Sequence, residues 1–262
     1  MIYEQPLNEQ MRLCLRLEQL FNQFLELVEE PSHACSDGAL TALLRTLHVI
    51  ERPDLKSKLS KVLSNHANSL TQLETHPHVD HATLRTLIDK LDYFMDMVHH
   101  NHTRLGDGFF QNEFINSIRQ HFYSPSGPSY FNMPAYSSWL NRSVVDRQTD
   151  LKSWYKALKE LHEMINLILQ LTRQGGALEE ETFESGFFQK NLDSNTPVDI
   201  IRINLPNHLT IYPEISVGRH GLSIRFMERD YLSKERAAQI TSTQRFELAC
   251  CGSLCPVETT KI

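Results

Sequence analysis

The sequence predicts an α+β protein, with an N-terminal all-helical domain followed by a smaller antiparallel β-strand domain. Two observations carry this. Up to Gly175-Gly176 the apolar residues recur at helical spacing, and beyond that pair the period changes to two. Helices first and strands afterwards is the order of an α+β chain, not of a doubly wound sheet. With 262 residues there is enough chain for two domains. The expected division is 1–176 mainly helical, 177–251 a β-strand domain and 252–262 a flexible tail, with 124–134 a candidate to add a strand to the β domain.

From Pro6 to Glu30 the pattern reads as a helix, with Asn8 as its cap and Glu9 where a negative charge suits a helix start. Its apolar arc is wider than one face needs, which fits either a central helix of a bundle or a second face used for dimerisation. Ser36-Asp37 is expected to cap a helix running through Glu51, and Pro53 separates it from another over Asp54 to Glu74. A fourth follows His76-Pro77-His78, from Asp80 to His100. After the break at Gly106-Asp107-Gly108 the helical pattern resumes from Asn112 to Phe122, with Phe114, Ile115 and Ile118 inward. The prolines of Ser124 to Pro128 require a loop. Ser129 to Asn132 fits a short strand, Pro134 to Leu140 a short helix, and Asp146 to Gln174 a long helix ended by the diglycine.

In the β half, Thr182 to Gln189, Val198 to Leu205, Ile211 to Met227 and Arg245 to Cys250 alternate apolar and polar residues between turn-forming clusters. Ile211 to Met227 is a hairpin about Gly218-Arg219-His220-Gly221. Alternation along its second strand puts Leu222, Ile224 and Phe226 on one face and Ser223, Arg225 and Met227 on the other. Arg225 is therefore presented outward.

Composition narrows the function. Twenty-six basic against 32 acidic residues argue against general nucleic-acid affinity, which depends on phosphate neutralisation. The amino terminus has no basic and apolar leader pattern, and no run is apolar enough for a membrane span, so a cytoplasmic protein without membrane insertion is expected. Five cysteines, an odd number without an export signal, are expected reduced.

No constellation supports catalysis or a cofactor. His162-Glu163-Met164-Ile165-Asn166 lacks the second histidine of the HExxH zinc motif. His78 with His81, and His99 with His102, have spacing a metal could use but no cysteine partners; a metal-dependent hydrolase built on these loops is the rival from another class. Ser153-Trp154-Tyr155-Lys156 matches SxxK without the elements that complete that active site. Cys250, Cys251 and Cys255 lack the second ligand pair of a structural zinc site. No phosphate-binding glycine loop occurs. What remains is arginine on an acidic chain: Arg12 and Arg16 one helical turn apart, Arg45, Arg52, Arg202, Arg219 and Arg225. The ordinary reading is a solvated surface. Brought together, such residues would grip carboxylates, as in an adaptor for an acidic partner.

Several segments, in order, resemble one family. YEQPLNEQMRLCLRLEQL near the start, NMPAYSSWL in the middle, GFFQ, IRINL, YPEIS and IRFM in the β half, and FELACC near the end resemble the ZapD family of bacterial division proteins. The match runs from Tyr3 to Cys251. It implies a cytoplasmic, symmetric homodimer at the mid-cell division site, without enzymatic activity. Such a dimer binds the carboxy-terminal tail of FtsZ, the tubulin-like GTPase of the division ring. It bundles FtsZ protofilaments, promotes ring assembly and lowers GTPase activity. Carried residue by residue, the family's basic positions coincide with Arg16, Arg52 and Arg225. Others fall where Phe114, Ser137 and Gly221 stand, which cannot make the same charged contact. Arg219 and His220 are close enough to stand in for the charge missing at Gly221, and Arg119 lies about a turn and a half beyond Phe114.

Overall fold

The computed structural model describes residues 1–75, 79–100, 105–122, 133–192, 197–206, 210–218, 221–232 and 236–253. Helices and then antiparallel strands follow as the change of period predicts, with one strand added at the front. That strand, β1 (Ile2–Pro6), is too short and polar to announce itself by alternation. Helix α1 (Glu9–Val28) follows, and the Asn8 side chain accepts the Met11 N–H at 2.8 Å as a cap should. Helix α2 (His33–Ile50) is capped by Ser32, whose Oγ accepts from the Cys35 N–H at 3.0 Å, so the expected Ser36-Asp37 cap is displaced by one turn. Ser36 is instead buried on the helix flank. Helices α3 (Leu55–Leu73) and α4 (His81–His100) fall as expected, the latter capped by Asp80.

A single turn, α5 (Asp107–Phe110), occupies the predicted break, and α6 (Glu113–Phe122) and α7 (Pro134–Leu140) follow. The expected helix from Asp146 to Gln174 is two helices, α8 (Val144–Lys156) and α9 (Lys159–Gln174). Between them the Leu158 N–H bonds the Tyr155 carbonyl at 2.8 Å, a tighter turn than α-helix, and Leu158 is fully buried. Apolar spacing continues through the break, so periodicity does not reveal it. The strand expected within 124–134 and most of the expected tail lie outside the described residues.

Contacts divide the chain into two units. One comprises Met1–Arg12, Asn65–Ile88 and Leu169–Ile262; the other comprises Leu13–Ser64 and Asp89–Ile168.

The first unit holds the strands β2 (Glu179–Phe183), β3 (Phe187–Asn191), β4 (Ile200–Asn204), β5 (Ile211–Val217), β6 (Gly221–Glu228), β7 (Ala238–Gln239) and β8 (Gln244–Cys251). One antiparallel sheet has the order β1-β4-β8-β2, and the other β3-β6-β5 with β7 also paired to β6. The stretch Thr182 to Gln189, expected as one strand, turns at Ser185 (φ 49) and Gly186 (φ 68) and passes from the first sheet to the second. A Cβ at Gly186 would lie 2.2 Å from the Ile240 carbonyl oxygen, so this corner needs glycine for space as well as for backbone angle. Inward residues of the two sheets share one core: Phe183, Ile203 and Phe246 from one side, Leu222, Ile224 and Phe226 from the other. Phe183 stacks on Phe226 with ring centroids 3.9 Å apart. Burying each large side chain of this kind stabilises the fold by about 1.5–3 kcal/mol. The predicted diglycine lies against the end of β8, where a Cβ at Gly176 would stand 2.5 Å from the Cys250 carbonyl oxygen. The edges are guarded: β2 carries Glu179, Glu180 and Glu181, and β5 carries Pro213.

In the second unit the wide apolar arc of α1 is filled by the chain itself, with Leu13, Leu17, Leu20, Phe21, Phe24 and Val28 all buried. His162 is part of this core. Its ring stacks on Phe21 at 4.5 Å and its Nδ1 meets the Tyr155 hydroxyl at 2.5 Å. Arg147, 1 % exposed, holds the unit's loops together. Its guanidinium donates to Ser36 Oγ and to the carbonyls of Pro31, Leu140 and Arg142, at 2.6 to 3.0 Å. Among the described residues no helix is long and apolar enough to cross a membrane.

Candidate functional site

The hairpin expected from Ile211 to Met227 forms as β5 and β6, paired in register from Ile211 with Glu228 to Val217 with Leu222. Leu222, Ile224 and Phe226 are at most 1 % exposed, whereas Arg225 is exposed. The alternation therefore places Arg225 as the sequence requires. On that outer face it stands between Glu214 of β5 and Phe187 of β3, and Phe187 is itself 40 % exposed. The Arg225 side chain has no hydrogen bond or ion pair among the described residues. Arg219 and His220, at the tip of the hairpin, lie outside them.

In the second unit, Arg16 and Arg45 line one shallow polar depression with Gln19, Asn22 and Gln23 and with two carboxylates, Glu18 and Glu26. Arg16 donates to Gln19 Oε1 at 2.9 Å and pairs with no carboxylate among the described residues. Arg52 leaves the end of α2, its Nε 3.4 Å from Asp54, and Lys58 takes the other oxygen of that carboxylate at 2.7 Å. Arg119 is ion-paired to Glu51 and lies over the Phe110 ring, 5.3 Å from its centroid. Arg12, in the first unit, pairs with Glu9 at 3.4 Å. Two groups therefore assemble within the second unit: Arg16 with Arg45, and Arg52 with Arg119 about Glu51 and Phe110. Arg225 belongs to the first unit.

The departures have physical reasons. Phe114 is taken up in an aromatic group, 5.9 Å from Trp139 and 5.8 Å from Trp154, so that position serves packing. Gly221 opens β6 opposite Asn191 and accepts the Gly218 N–H at 2.9 Å, closing the hairpin. Sequence reasoning missed Lys56, which shares a hollow with Arg52; its position four residues on, just inside α3, is the signal that could have found it.

Guanidinium and ammonium groups of this kind donate hydrogen bonds and bind carboxylates, so they supply recognition. The thiols point the same way. Burial pushes Cys14 up to about 12 and Cys251 up to about 11, which keeps both protonated and poor as nucleophiles or metal ligands. Of the paired histidines, His81 and His99 are described, and His99 Nε2 meets Ser60 Oγ at 2.9 Å. Their expected metal partners, His78 and His102, lie outside the described residues, as does Cys255.

The family model ZapD, described as a cell division protein, matches residues 15–225. The chain belongs to the ZapD family. Its similarity to the Cell division protein ZapD of Coxiella burnetii (strain RSA 493 / Nine Mile phase I) is 41 % identity over 249 residues, covering 95 % of this chain and 96 % of that protein. The ZapD of Methylococcus capsulatus is 34 % identical over 250 residues, covering 95 % of this chain and 97 % of its own length. Both matches run across the helical and the strand regions alike. They support a role in cell division, and ZapD is not a known enzyme family.

Proposed function

We propose that this ZapD-family chain is a non-enzymatic division factor that binds the carboxy-terminal tail of FtsZ through its arginines and cross-links FtsZ protofilaments. The observation that carries the reading is Arg225, held outward by the alternation of β6 and without an ion partner among the described residues. Arg16 and Arg45, which share a depression with Glu18 and Glu26, and Arg52 and Arg119, beside Asp54 and Glu51, are the further cations of this reading on a chain whose net charge is −6. Such a surface selects an acidic segment through charge-assisted, bidentate hydrogen bonds.

Bundling needs two equivalent sites on one particle. A homodimer supplies them, and along a filament that carries many tails, individually weak contacts gain avidity. In this reading the protein acts in the cytoplasm at mid-cell, promotes assembly of the division ring and lowers FtsZ GTPase turnover by holding filaments side by side. The direct test is fluorescence anisotropy of a labelled FtsZ tail peptide titrated with the full chain. Saturable binding that weakens as salt rises is expected, and no binding at low salt would remove FtsZ as the partner.

A further inference from the structure

Where β6 ends, the first unit carries a hollow of about 400 Å³. Strand alternation builds it. Glu228 stands two residues beyond Phe226 on the inward side of β6, and Gln244 two residues before Phe246 on that of β8. Both lie at the margin of the core, where a polar side chain still reaches water. Ile211, buried, and Ile240, half-buried, supply the apolar part of the lining. The segment from β7 to Ser242 is one wall, and backbone bonds fix it. The Ile240 N–H donates to the Phe226 carbonyl at 3.1 Å, and the Gly186 N–H to the Ser242 carbonyl at 3.3 Å. The corner at Gly186 thus sets this wall, since a Cβ there would stand 3.0 Å from Ile240 Cγ1.

The polar side chains bond one another in a way that leaves acceptors over. Thr210 Oγ1 donates to Glu228 Oε1 at 3.1 Å, and Gln244 Nε2 donates to Ser242 Oγ at 3.3 Å. Glu228 Oε2 and Gln244 Oε1 have no donor among the described residues. Glu228 has no ion partner among them either. Arg229, next to it in sequence, lies toward the Tyr231 ring, 5.9 Å from its centroid, and Arg245, next to Gln244, pairs with Glu180 at 2.9 Å. A carboxylate and an amide oxygen without donors call for a ligand that is positively charged and donates hydrogen bonds. An anion would be repelled by Glu228, and a bare metal ion would leave the two isoleucines uncovered.

We propose that this hollow binds a small organic cation, an ammonium or guanidinium group on a short alkyl chain, with its head on Glu228 and Gln244 and its chain over Ile211 and Ile240. The charge it selects is opposite to that selected by the arginines above, so this site and the FtsZ reading stand or fall separately.

Methyl NMR of the full chain tests it. Ile211 and Ile240 are followed during addition of n-butylguanidinium at constant ionic strength, with n-butanol and butyrate as neutral and anionic controls and Ile50, in the other unit, as the reference methyl. Saturable shifts at Ile211 and Ile240 with the guanidinium, and only weak ones with the two controls, are expected. Glu228→Gln is expected to weaken binding about tenfold, as loss of a charge-assisted partner does. Its thermal midpoint should barely move, because Glu228 is exposed. The comparison of ligands on the unaltered chain stands whatever the variant does to the fold. No saturable shift at either methyl, equal shifts with n-butanol, or full affinity in a folded Glu228→Gln overturns the proposal. Acetyl-arginine amide separates the sources of the cation: binding as tight as that of n-butylguanidinium supports a basic side chain of another protein in the hollow, and weaker binding supports a free small molecule.

Discussion

Arg173 grips the Glu4 carboxylate with two nitrogens, Nε 2.8 Å from Oε1 and Nη2 2.6 Å from Oε2. Arg202, directly across from Glu4 in the β1–β4 ladder, adds its Nε to Oε1 at 2.8 Å. One acidic side chain thus ties the first strand, a neighbouring strand and the end of α9. Burial alone would raise the Glu4 carboxyl, but hydrogen bonds and charge from Arg173, then Arg202, outweigh it and hold the group below the usual carboxylate range. Glu4→Gln leaves two largely buried guanidinium groups poorly answered and is expected to cost about 2–4 kcal/mol. Urea unfolding checks this. The contribution is fully present above the ordinary carboxylate pKa and is lost as pH falls through the depressed one.

A second pH effect has a different window. His66 is 2 % exposed, its Nε2 meets Thr172 Oγ1 at 3.1 Å, and burial lowers it to about 4. Because the unfolded chain takes up that proton from about pH 6.5, stability is expected to fall between pH 6.5 and 4, by up to about 3 kcal/mol. Thermal unfolding of His66→Gln across that range should show a flatter pH dependence. An unchanged slope would mean that other groups carry it.

Arg147→Met is expected to be among the most damaging single changes. It strands the carbonyls of Pro31, Leu140 and Arg142, which the guanidinium now satisfies, at a cost of about 3 kcal/mol or more. Arg147→Lys should rescue little, since one ammonium cannot reproduce a planar fork reaching four acceptors. Denaturant midpoints with unchanged slope distinguish lost stability from a changed unfolded state.

Much of this was legible in the sequence. Leu222, Ile224 and Phe226 sort from Arg225 by strand alternation alone, and the helix from Pro134 to Leu140 starts and stops where its sequence says. Features set by distant partners were not. Strand β1 pairs with the edge that β4 offers, Ser32 caps α2 while Ser36 lies buried and accepts from Arg147, and Arg147 itself reads as one more surface charge in VVDRQTD. The candidate arginines can be named from the sequence one by one but not as groups, because Arg52, Phe110 and Arg119 meet only through the packing of separate elements.

Arg225→Glu is expected to weaken binding of the FtsZ tail about tenfold or more, as reversal of a contacting charge does. The fold should barely notice. The new side chain faces Glu214 across the ladder, a like-charge pair that costs under about 1 kcal/mol. Paired anisotropy and thermal melts separate the two effects, and full affinity in the variant would remove Arg225 from the site.

The central claim is that the carboxy-terminal tail of FtsZ is what this protein holds. Co-sedimentation with GTP-polymerised FtsZ tests it most directly, run side by side with FtsZ that lacks only the tail. The protein is predicted to pellet with intact filaments and to stay in the supernatant with tailless ones; equal pelleting with both would contradict the account.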